Sequence, residues 1–288
     1  MKNKIKYLTL FMAIAFKVSA VTNIVAAENF YGELAHEIGG NAVNVQSIIS
    51  NPDADPHLFT TSPATSTALS HADIIIYNGA NYDDWIHDML ANVDKKKVLI
   101  INVAELVNVK PGQNPHLWYK SDAFPLLAKL LAAKLSKLEP SHASVINQNL
   151  KVFLSEHAQV LANINTVKSK YNGIEVTATE PVYGYMASSM GLKMQGLDFQ
   201  WKIMNNTEPS PQMVANYENM LNKKEVKVLF YNSQVTDSIT SNMKNLATKN
   251  HIQIVGVTET MPSNMKINTW LNNEVNATSK ALLNSKNR

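Results

Sequence analysis

The sequence of 288 residues contains no cysteine. This absence excludes disulfide bonds, cysteine-based zinc fingers, iron–sulfur clusters and thiol nucleophiles. It does not identify a cellular compartment, because many exported bacterial proteins also lack cysteine. The length fits either one large domain or two lobes of ordinary size.

Long apolar runs are also scarce, and the one at the N-terminus is too short to cross a bilayer. Residues 1–20 begin with a lysine-rich stretch, continue with apolar residues over 7–16 and end in Val18-Ser-Ala20, a small-residue cleavage signal. A membrane span needs roughly 20 apolar residues. We therefore predict a signal peptide over 1–20, no lipid anchor because no lipobox cysteine is present, and a protein that is soluble in the periplasm after cleavage. The alternative is an ordinary buried first helix.

The excess of positive charge belongs to this same segment. Residues 1–20 hold four of the 26 basic residues and none of the 23 acidic ones, so the rest of the chain has 22 basic and 23 acidic residues and a net charge of −1. A chain without a basic field gives no indication of nucleic-acid binding. We therefore expect no nucleic-acid partner.

Several common catalytic motifs are absent as well. The sequence has no glycine-rich phosphate loop, no serine in a nucleophile-elbow context and no H-E-x-x-H motif. Aspartates and glutamates are plentiful, but no pair of them is marked as a catalytic dyad. The sequence therefore gives no indication of these common active sites, and a binding site is the next kind of site to consider.

Short runs rich in β-branched residues alternate with helix-like stretches along the chain. Serine followed by proline at Ser62 and Ser210 is typical of a helix N-cap with proline at the first helical position. Strands separated by helices indicate parallel α/β sheets. The strands are predicted at 23–27, 43–49, 73–77, 98–103, 174–179, 192–197, 226–231 and 253–257, with helices at 123–137 and 267–283 among others.

One segment between the two groups of strands predicts a long helix. Residues 141–170 contain neither proline nor glycine, and their apolar residues recur at steps of mostly three, four or seven. At 1.5 Å per residue this helix would be roughly 45 Å long. The alternative is two helices of a bundle. We predict a signal peptide over 1–20 followed by an N-terminal α/β lobe over 21–138, a rigid linking helix over 139–172 and a C-terminal α/β lobe over 173–288.

Two of the eight histidines stand in loops where ligands are expected. His57 ends Asn51-Pro-Asp-Ala-Asp-Pro-His57, after a predicted strand, and His116 lies in Asn114-Pro-His116 before a predicted helix. Open α/β sheets bind ligands outside the carboxyl ends of their strands. A preceding proline restricts the backbone and can aim the imidazole. The alternative for each is a turn histidine in water.

Carboxylates follow two strands of the second group in the same way. Glu180 comes directly after one predicted strand and Glu259 follows another, while Glu28 ends the first strand and is a possible fifth contributor. The alternative is carboxylates that complement helix dipoles, which suits Glu208 and Asp237 better. Two imidazoles and two carboxylates suit Zn²⁺, Mn²⁺ or Fe²⁺ better than Cu⁺.

These motifs carry a resemblance that runs across nearly the whole chain after residue 24. The chain resembles the metal-binding subunits of ABC importers for zinc and manganese. The most specific pieces are Asn51-Pro-Asp-Ala-Asp-Pro-His57, Tyr77-Asn-Gly79, Asn114-Pro-His116-Leu-Trp118, Thr179-Glu-Pro-Val-Tyr-Gly-Tyr185, Thr207-Glu-Pro-Ser-Pro211 and Val257-Thr-Glu-Thr260.

The resemblance implies two α/β lobes joined by a rigid backbone helix, with one divalent ion, Zn or Mn, held between them as the transported ligand. It places His57 and His116 at the N-lobe ligands. It places Glu180 at the third ligand, which is histidine in many zinc binders and glutamate in many manganese binders, and Glu259 at a position that is usually aspartate. No catalysis is implied. The implied partner is the membrane permease of the importer, and a monomer is expected.

Three departures from the family pattern bear on the site. The motif around His116 usually continues with Asp-Pro, where this chain has Lys120-Ser121. The histidine-rich loop of many zinc binders is missing between Trp85 and Asn114. The last carboxylate is one methylene longer than usual. The first departure concerns the support of His116, and the second removes one argument for zinc.

Two other functions remain open at this point. A metal-dependent hydrolase could use the same cleft, but it would need an open coordination position and a general base beside the metal. A surface adhesin is a third hypothesis, which metal-free binding to a partner would favour.

The ligand role of His57 gives the first testable prediction. His57→Ala removes an imidazole from the predicted site, so the variant should retain less Zn²⁺ and Mn²⁺ than the wild type in equilibrium dialysis. Equal retention of metal by the two proteins would refute the predicted site.

Overall fold

The computed structural model describes residues 21–51, 59–91, 93–234 and 237–286. The predicted signal peptide over 1–20 and the predicted ligand His57 lie outside the described residues. All eight predicted strands are confirmed, with ends that differ by a few residues. They form two four-stranded sheets in which every paired strand runs parallel to its neighbour.

The N-terminal sheet has the strand order β2-β1-β3-β4. Its helices cover both faces of the sheet, and apolar residues fill the space on either side. The strands are β1 (Thr22–Glu28), β2 (Val43–Ile49), β3 (Ile74–Tyr77) and β4 (Leu99–Asn102), and the helices are α1 (Asn29–Gly39), α2 (Pro63–Ser70), α3 (Trp85–Leu90), α4 (Val103–Leu106) and α5 (Ala123–Leu138).

A long helix, α6 (Ala143–Tyr171), follows a 3₁₀ turn at Pro140–His142. Its 29 residues confirm the predicted single helix, and its buried residues, such as Phe153, Val160 and Ile164, recur at helical spacing. The helix packs against α1 and α5 and also against the last helix of the chain. No helix in the part of the chain that the structure describes combines the length and apolarity needed to cross a membrane. The domain boundaries at 138/139 and 172/173 stay predictions.

The C-terminal sheet repeats the topology of the first, with the order β6-β5-β7-β8. Its strands are β5 (Glu175–Ala178), β6 (Lys193–Gln195), β7 (Val228–Asn232) and β8 (Gln253–Val257), and its helices are α7 (Gly184–Ser189), α8 (Leu197–Met204), α9 (Pro211–Asn222), α10 (Ser238–Lys249) and α11 (Ile267–Lys286).

The predicted helix caps are present. The Ser62 side chain accepts the backbone N–H of Thr65 at the start of α2, and Ser210 accepts that of Met213 at the start of α9. Asp237 caps α10 in the same way, which confirms the structural interpretation of that carboxylate.

Aromatic side chains join the two lobes directly. The ring centroids of Tyr119 and Tyr183 are 5.0 Å apart, and Trp270 lies 5.6 Å from Tyr119 and 6.0 Å from Phe30. All four side chains are buried in one core that extends into both lobes. Because aromatic pairs at such distances pack with defined geometry, this core fixes the relative position of the lobes together with α6.

One carboxyl group lies inside this core. The Glu274 side chain of α11 is buried, and its Oε1 accepts the Trp270 Nε1–H at 3.0 Å. Burial raises the pKa of Glu274 to about 8. Between about pH 4.5 and pH 8, Glu274 is therefore protonated in the folded protein and ionised in the unfolded chain.

This proton predicts how stability depends on pH. In wild type the free energy of unfolding should fall as pH rises from about 4.5 to about 8, by up to about 1.4 kcal/mol per pH unit from this group. Glu274→Gln keeps an acceptor for Trp270 and cannot ionise. The free energy of unfolding of the variant should therefore fall less over this range than that of the wild type. Urea unfolding at several pH values measures both curves. Parallel curves would contradict the assignment.

Candidate metal centre

The topology places the carboxyl ends of both sheets at the boundary between the lobes. In each sheet the second strand pairs on one side of the first strand, and the third strand pairs on the other side. This reversal of strand order is a switch point, where α/β proteins bind ligands. Glu28 ends β1 in the first sheet. In the second sheet Glu180 follows β5 by two residues, Asn232 ends β7 and Glu259 follows β8 by two residues.

The two predicted carboxylates of the C-terminal lobe lie beside each other. Glu180 and Glu259 are 6% and 2% exposed. The Asn232 side-chain amide donates to both of them, at 2.8 Å to Glu180 Oε2 and 2.5 Å to Glu259 Oε1. The Gln234 side chain accepts the backbone N–H of Glu259 at 2.5 Å. Asn232 therefore orients both carboxylate groups, and Gln234 holds the backbone of Glu259.

His116 provides the half of the site in the N-terminal lobe. Its side chain is buried, and its Nδ1 lies 2.6 Å from Asn114 Oδ1. The Asn114 amide nitrogen donates to the Pro181 carbonyl at 2.8 Å, which identifies the other atom of that amide as the oxygen. The Nδ1 of His116 is therefore the protonated nitrogen, and Nε2 has the lone pair that a metal ion takes.

Contacts across the boundary connect the two halves. The Tyr82 hydroxyl donates to Glu259 Oε2 at 3.1 Å, and its ring lies 6.1 Å from the His116 ring in a T-shaped arrangement. Pro181, which accepts from Asn114, directly follows Glu180. Three of the four predicted ligands thus lie in one connected network that spans both lobes.

The departure at Lys120-Ser121 leaves the support of His116 intact. Lys120 Nζ lies 2.5 Å from Asp122 Oδ1, near solvent. The Ser121 carbonyl oxygen lies 3.2 Å from His157 Nε2. The support of His116 comes instead from Asn114, two residues before it.

Glu28 has a different partner from the other carboxylates. It is fully buried beside Asp83, and burial together with the charge of Asp83 raises the pKa of Glu28 well above its usual value. Burial also raises the pKa of Asp83 to about 6, although its oxygens accept the backbone N–H groups of Asn78 and Gly79. The charged form of Glu28 is therefore disfavoured in this buried carboxyl pair.

The described residues do not form a complete coordination shell by themselves. Over 21–51, 59–91, 93–234 and 237–286, no three histidine, aspartate or glutamate side chains form a group that could hold a metal ion. His57 lies outside these ranges. The four-residue shell of His57, His116, Glu180 and Glu259 therefore stays a prediction.

Charge at this boundary is one-sided. The buried carboxyl groups include Glu28, Asp83, Glu180 and Glu259, and no lysine or arginine is buried anywhere in the described residues. Buried carboxylates are costly unless a positive charge or several hydrogen bonds compensate them. A divalent cation is the kind of ligand that this arrangement suits.

Sequence reasoning missed three residues that organise the site. Asn114 stands inside the Asn114-Pro-His116 motif, in which the proline and the histidine carry the signal for a ligand. Asn232 ends β7, so the strand-end rule that found Glu180 and Glu259 could also have found it. Tyr82 had no comparable signal, because its contact with Glu259 spans 177 positions of the chain.

The chain is similar to known proteins in sequence and in fold. A family model described as "Zinc-uptake complex component A periplasmic" matches residues 24–280. The chain is 25% identical to the metal ABC transporter substrate-binding lipoprotein ScbA of Streptococcus cristatus over 237 residues. The aligned region covers 76% of this chain and 74% of that protein. The chain is also 25% identical over 253 residues to the manganese-binding lipoprotein MntA of Bacillus subtilis, with coverages of 83% and 78%.

Solved structures show the same fold. The manganese-bound periplasmic metal-binding protein from Candidatus Liberibacter asiaticus has a TM-score of 0.72 at 18% identity, over 91% of this chain and 99% of that one. The binding protein FpvC from Pseudomonas aeruginosa in complex with Mn²⁺ has a TM-score of 0.77 at 18% identity, over 92% and 100%. The predicted fold of two α/β lobes joined by a long helix is confirmed.

The role of Asn114 can be tested directly. Asn114→Ala frees the His116 ring to rotate or change tautomer, so the dissociation constant for Zn²⁺ should rise about 10- to 100-fold, as for other residues that orient metal ligands. Asn114→Asp keeps an acceptor for Nδ1 and should bind more tightly than Asn114→Ala. Calorimetric titration measures all three proteins.

Gln113→Ala is the matched control for this experiment. Gln113 is the preceding residue in the same loop, is exposed, and accepts only the Lys110 backbone N–H among the described contacts. It should bind Zn²⁺ like wild type. Wild-type affinity in Asn114→Ala would show that His116 needs no such support.

Proposed function

Because the chain belongs to the family of the periplasmic component A of zinc-uptake complexes, we propose that it captures a divalent transition-metal ion, zinc or manganese, and delivers it to the permease of an ABC importer. The relatives named above support this, since their names describe substrate-binding proteins of metal transporters.

One observation supports the proposal above the others. His116, Glu180 and Glu259 belong to one network of contacts across the boundary, and all three are buried. No lysine or arginine of the described residues is buried beside the carboxylates. A bound cation would place positive charge beside these carboxylates. With His57, the set would provide two nitrogen and at least two oxygen ligands, which suits a first-row divalent metal.

Ligands from two lobes would couple binding to the relative position of the lobes. The ion would exchange part of its water for the imidazole and carboxylate groups. Because the aromatic core and α6 hold the lobes together, we expect small adjustments at the boundary on binding. A permease that contacts both lobes could then distinguish loaded from empty protein.

We propose binding without catalysis. Four protein ligands fill a tetrahedral shell, whereas a catalytic metal keeps a position open for water or substrate. The family is that of a transporter's substrate-binding component. The proposal includes a monomer that is soluble in the periplasm after cleavage behind Ala20.

Glu180 is the residue on which the choice of metal should depend. Manganese prefers oxygen ligands, whereas zinc accepts imidazole readily. Glu180→His should therefore lower the ratio of bound Mn²⁺ to bound Zn²⁺, by about tenfold if one ligand accounts for the preference. Competition dialysis against equal concentrations of both ions, followed by metal analysis, measures the ratio.

Glu208→His is the matched control. Glu208 also precedes a proline but is exposed and lies outside the network around His116. Its ratio of bound metals should equal that of wild type. A ratio in Glu180→His that does not change, or that moves toward manganese, would contradict the role proposed for Glu180.

A further inference from the structure

We propose that Asn232 is a positioning residue that sets the spacing between the Glu180 and Glu259 carboxylates and thereby favours manganese binding. This inference rests on the proposed function of metal capture. Asn232 touches both carboxylates and has no place in the predicted ligand set, so its effect on metal would act through them.

The orientation of the Asn232 amide is determined by its neighbours. Its Oδ1 accepts the backbone N–H of Gln234 at 3.1 Å, which only an oxygen can do. The nitrogen of the same amide must then face the carboxylates. Its two hydrogens are directed to two different acceptors, Glu180 Oε2 and Glu259 Oε1.

The sheet explains why this residue can reach both acceptors. β7 lies between β5 and β8, and Asn232 is the last residue of β7, paired with Val257 of β8. Glu180 and Glu259 each follow their strand by two residues. Asn232 therefore stands midway between them, and its backbone N–H is held by the Thr179 side chain at 3.3 Å.

The electrostatics give this position a function. Two carboxylates that share a buried site repel each other, and hydrogen bonds from a neutral donor to charged groups are among the stronger ones in proteins. Each carboxylate has about four acceptor positions. Asn232 takes one on each, and the Tyr82 hydroxyl takes another on Glu259, so the bond to Asn232 does not by itself prevent coordination of a metal ion. The amide can thus hold the pair at a fixed separation while both carboxylates coordinate.

The consequence should differ between metals. Mn²⁺ depends on carboxylate oxygens, whereas Zn²⁺ is bound well by imidazole. Loss of the spacing should therefore weaken manganese binding more than zinc binding. A residue needed only for folding would not change the ratio of the two affinities.

The experiment compares full-length mature protein with Asn232→Leu and Asn232→Ala by calorimetric titration with Mn²⁺ and Zn²⁺. Asn232→Leu has a similar shape and no donor, and should weaken Mn²⁺ binding about 10- to 100-fold, with a smaller loss for Zn²⁺. Asn232→Ala leaves room for a water molecule that can donate in place of the amide, so its loss should be smaller than that of Asn232→Leu.

Asn268→Leu is the control for structural damage. Asn268 is also 4% exposed and also donates from a buried amide, to the Phe153 carbonyl, but it has no contact with the carboxylates among the described bonds. It should lower the melting temperature without changing the ratio of the two affinities.

The outcomes separate this inference from the proposed function. If wild type binds neither ion, metal capture itself is wrong. If wild type binds but Asn232→Leu binds Mn²⁺ within about twofold of it, or both ions weaken equally, the positioning role is overturned. A selective loss of manganese affinity that Asn232→Ala partly restores supports it.

Discussion

Buried carboxylates at the boundary between the lobes set the main physical constraint on this protein. Glu180 and Glu259 are kept in place by neutral donors, and no lysine or arginine of the described residues is buried to balance them. Burial of such a site lowers the free energy of unfolding, and a cation that binds there could raise it again. In the nearby pair of Glu28 and Asp83, burial raises the pKa of both carboxyl groups, so their charged forms are disfavoured.

The rest of the fold brings the two halves of the site together. Repeated sheets direct their carboxyl ends to one boundary, and α6 packs against helices from both sides of it. The aromatic core around Tyr119 and Trp270 extends across the same boundary. Asn114 contributes both to the site and to the contact between the lobes, because it orients His116 and also donates to Pro181 in the other lobe.

Much of this fold could be predicted because its signals are local. β-Branched runs identified the strands, Ser62 and Ser210 identified two helix starts, and the stretch without proline or glycine identified α6. The supports of the site could not be predicted in the same way. Asn232 holds two carboxylates by bonds that span 52 and 27 positions, and such contacts appear only when the sheet has formed. The role of His57 stays a prediction.

We propose that one ion is shared by side chains of both lobes. Crystals grown with Zn²⁺ and measured by anomalous diffraction at the zinc edge test it most directly. We expect one strong peak at the boundary, about 2.0–2.2 Å from His116 Nε2 and from oxygens of Glu180 and Glu259, with His57 completing the shell. Zinc bound only elsewhere, or ligated from one lobe alone, would contradict it.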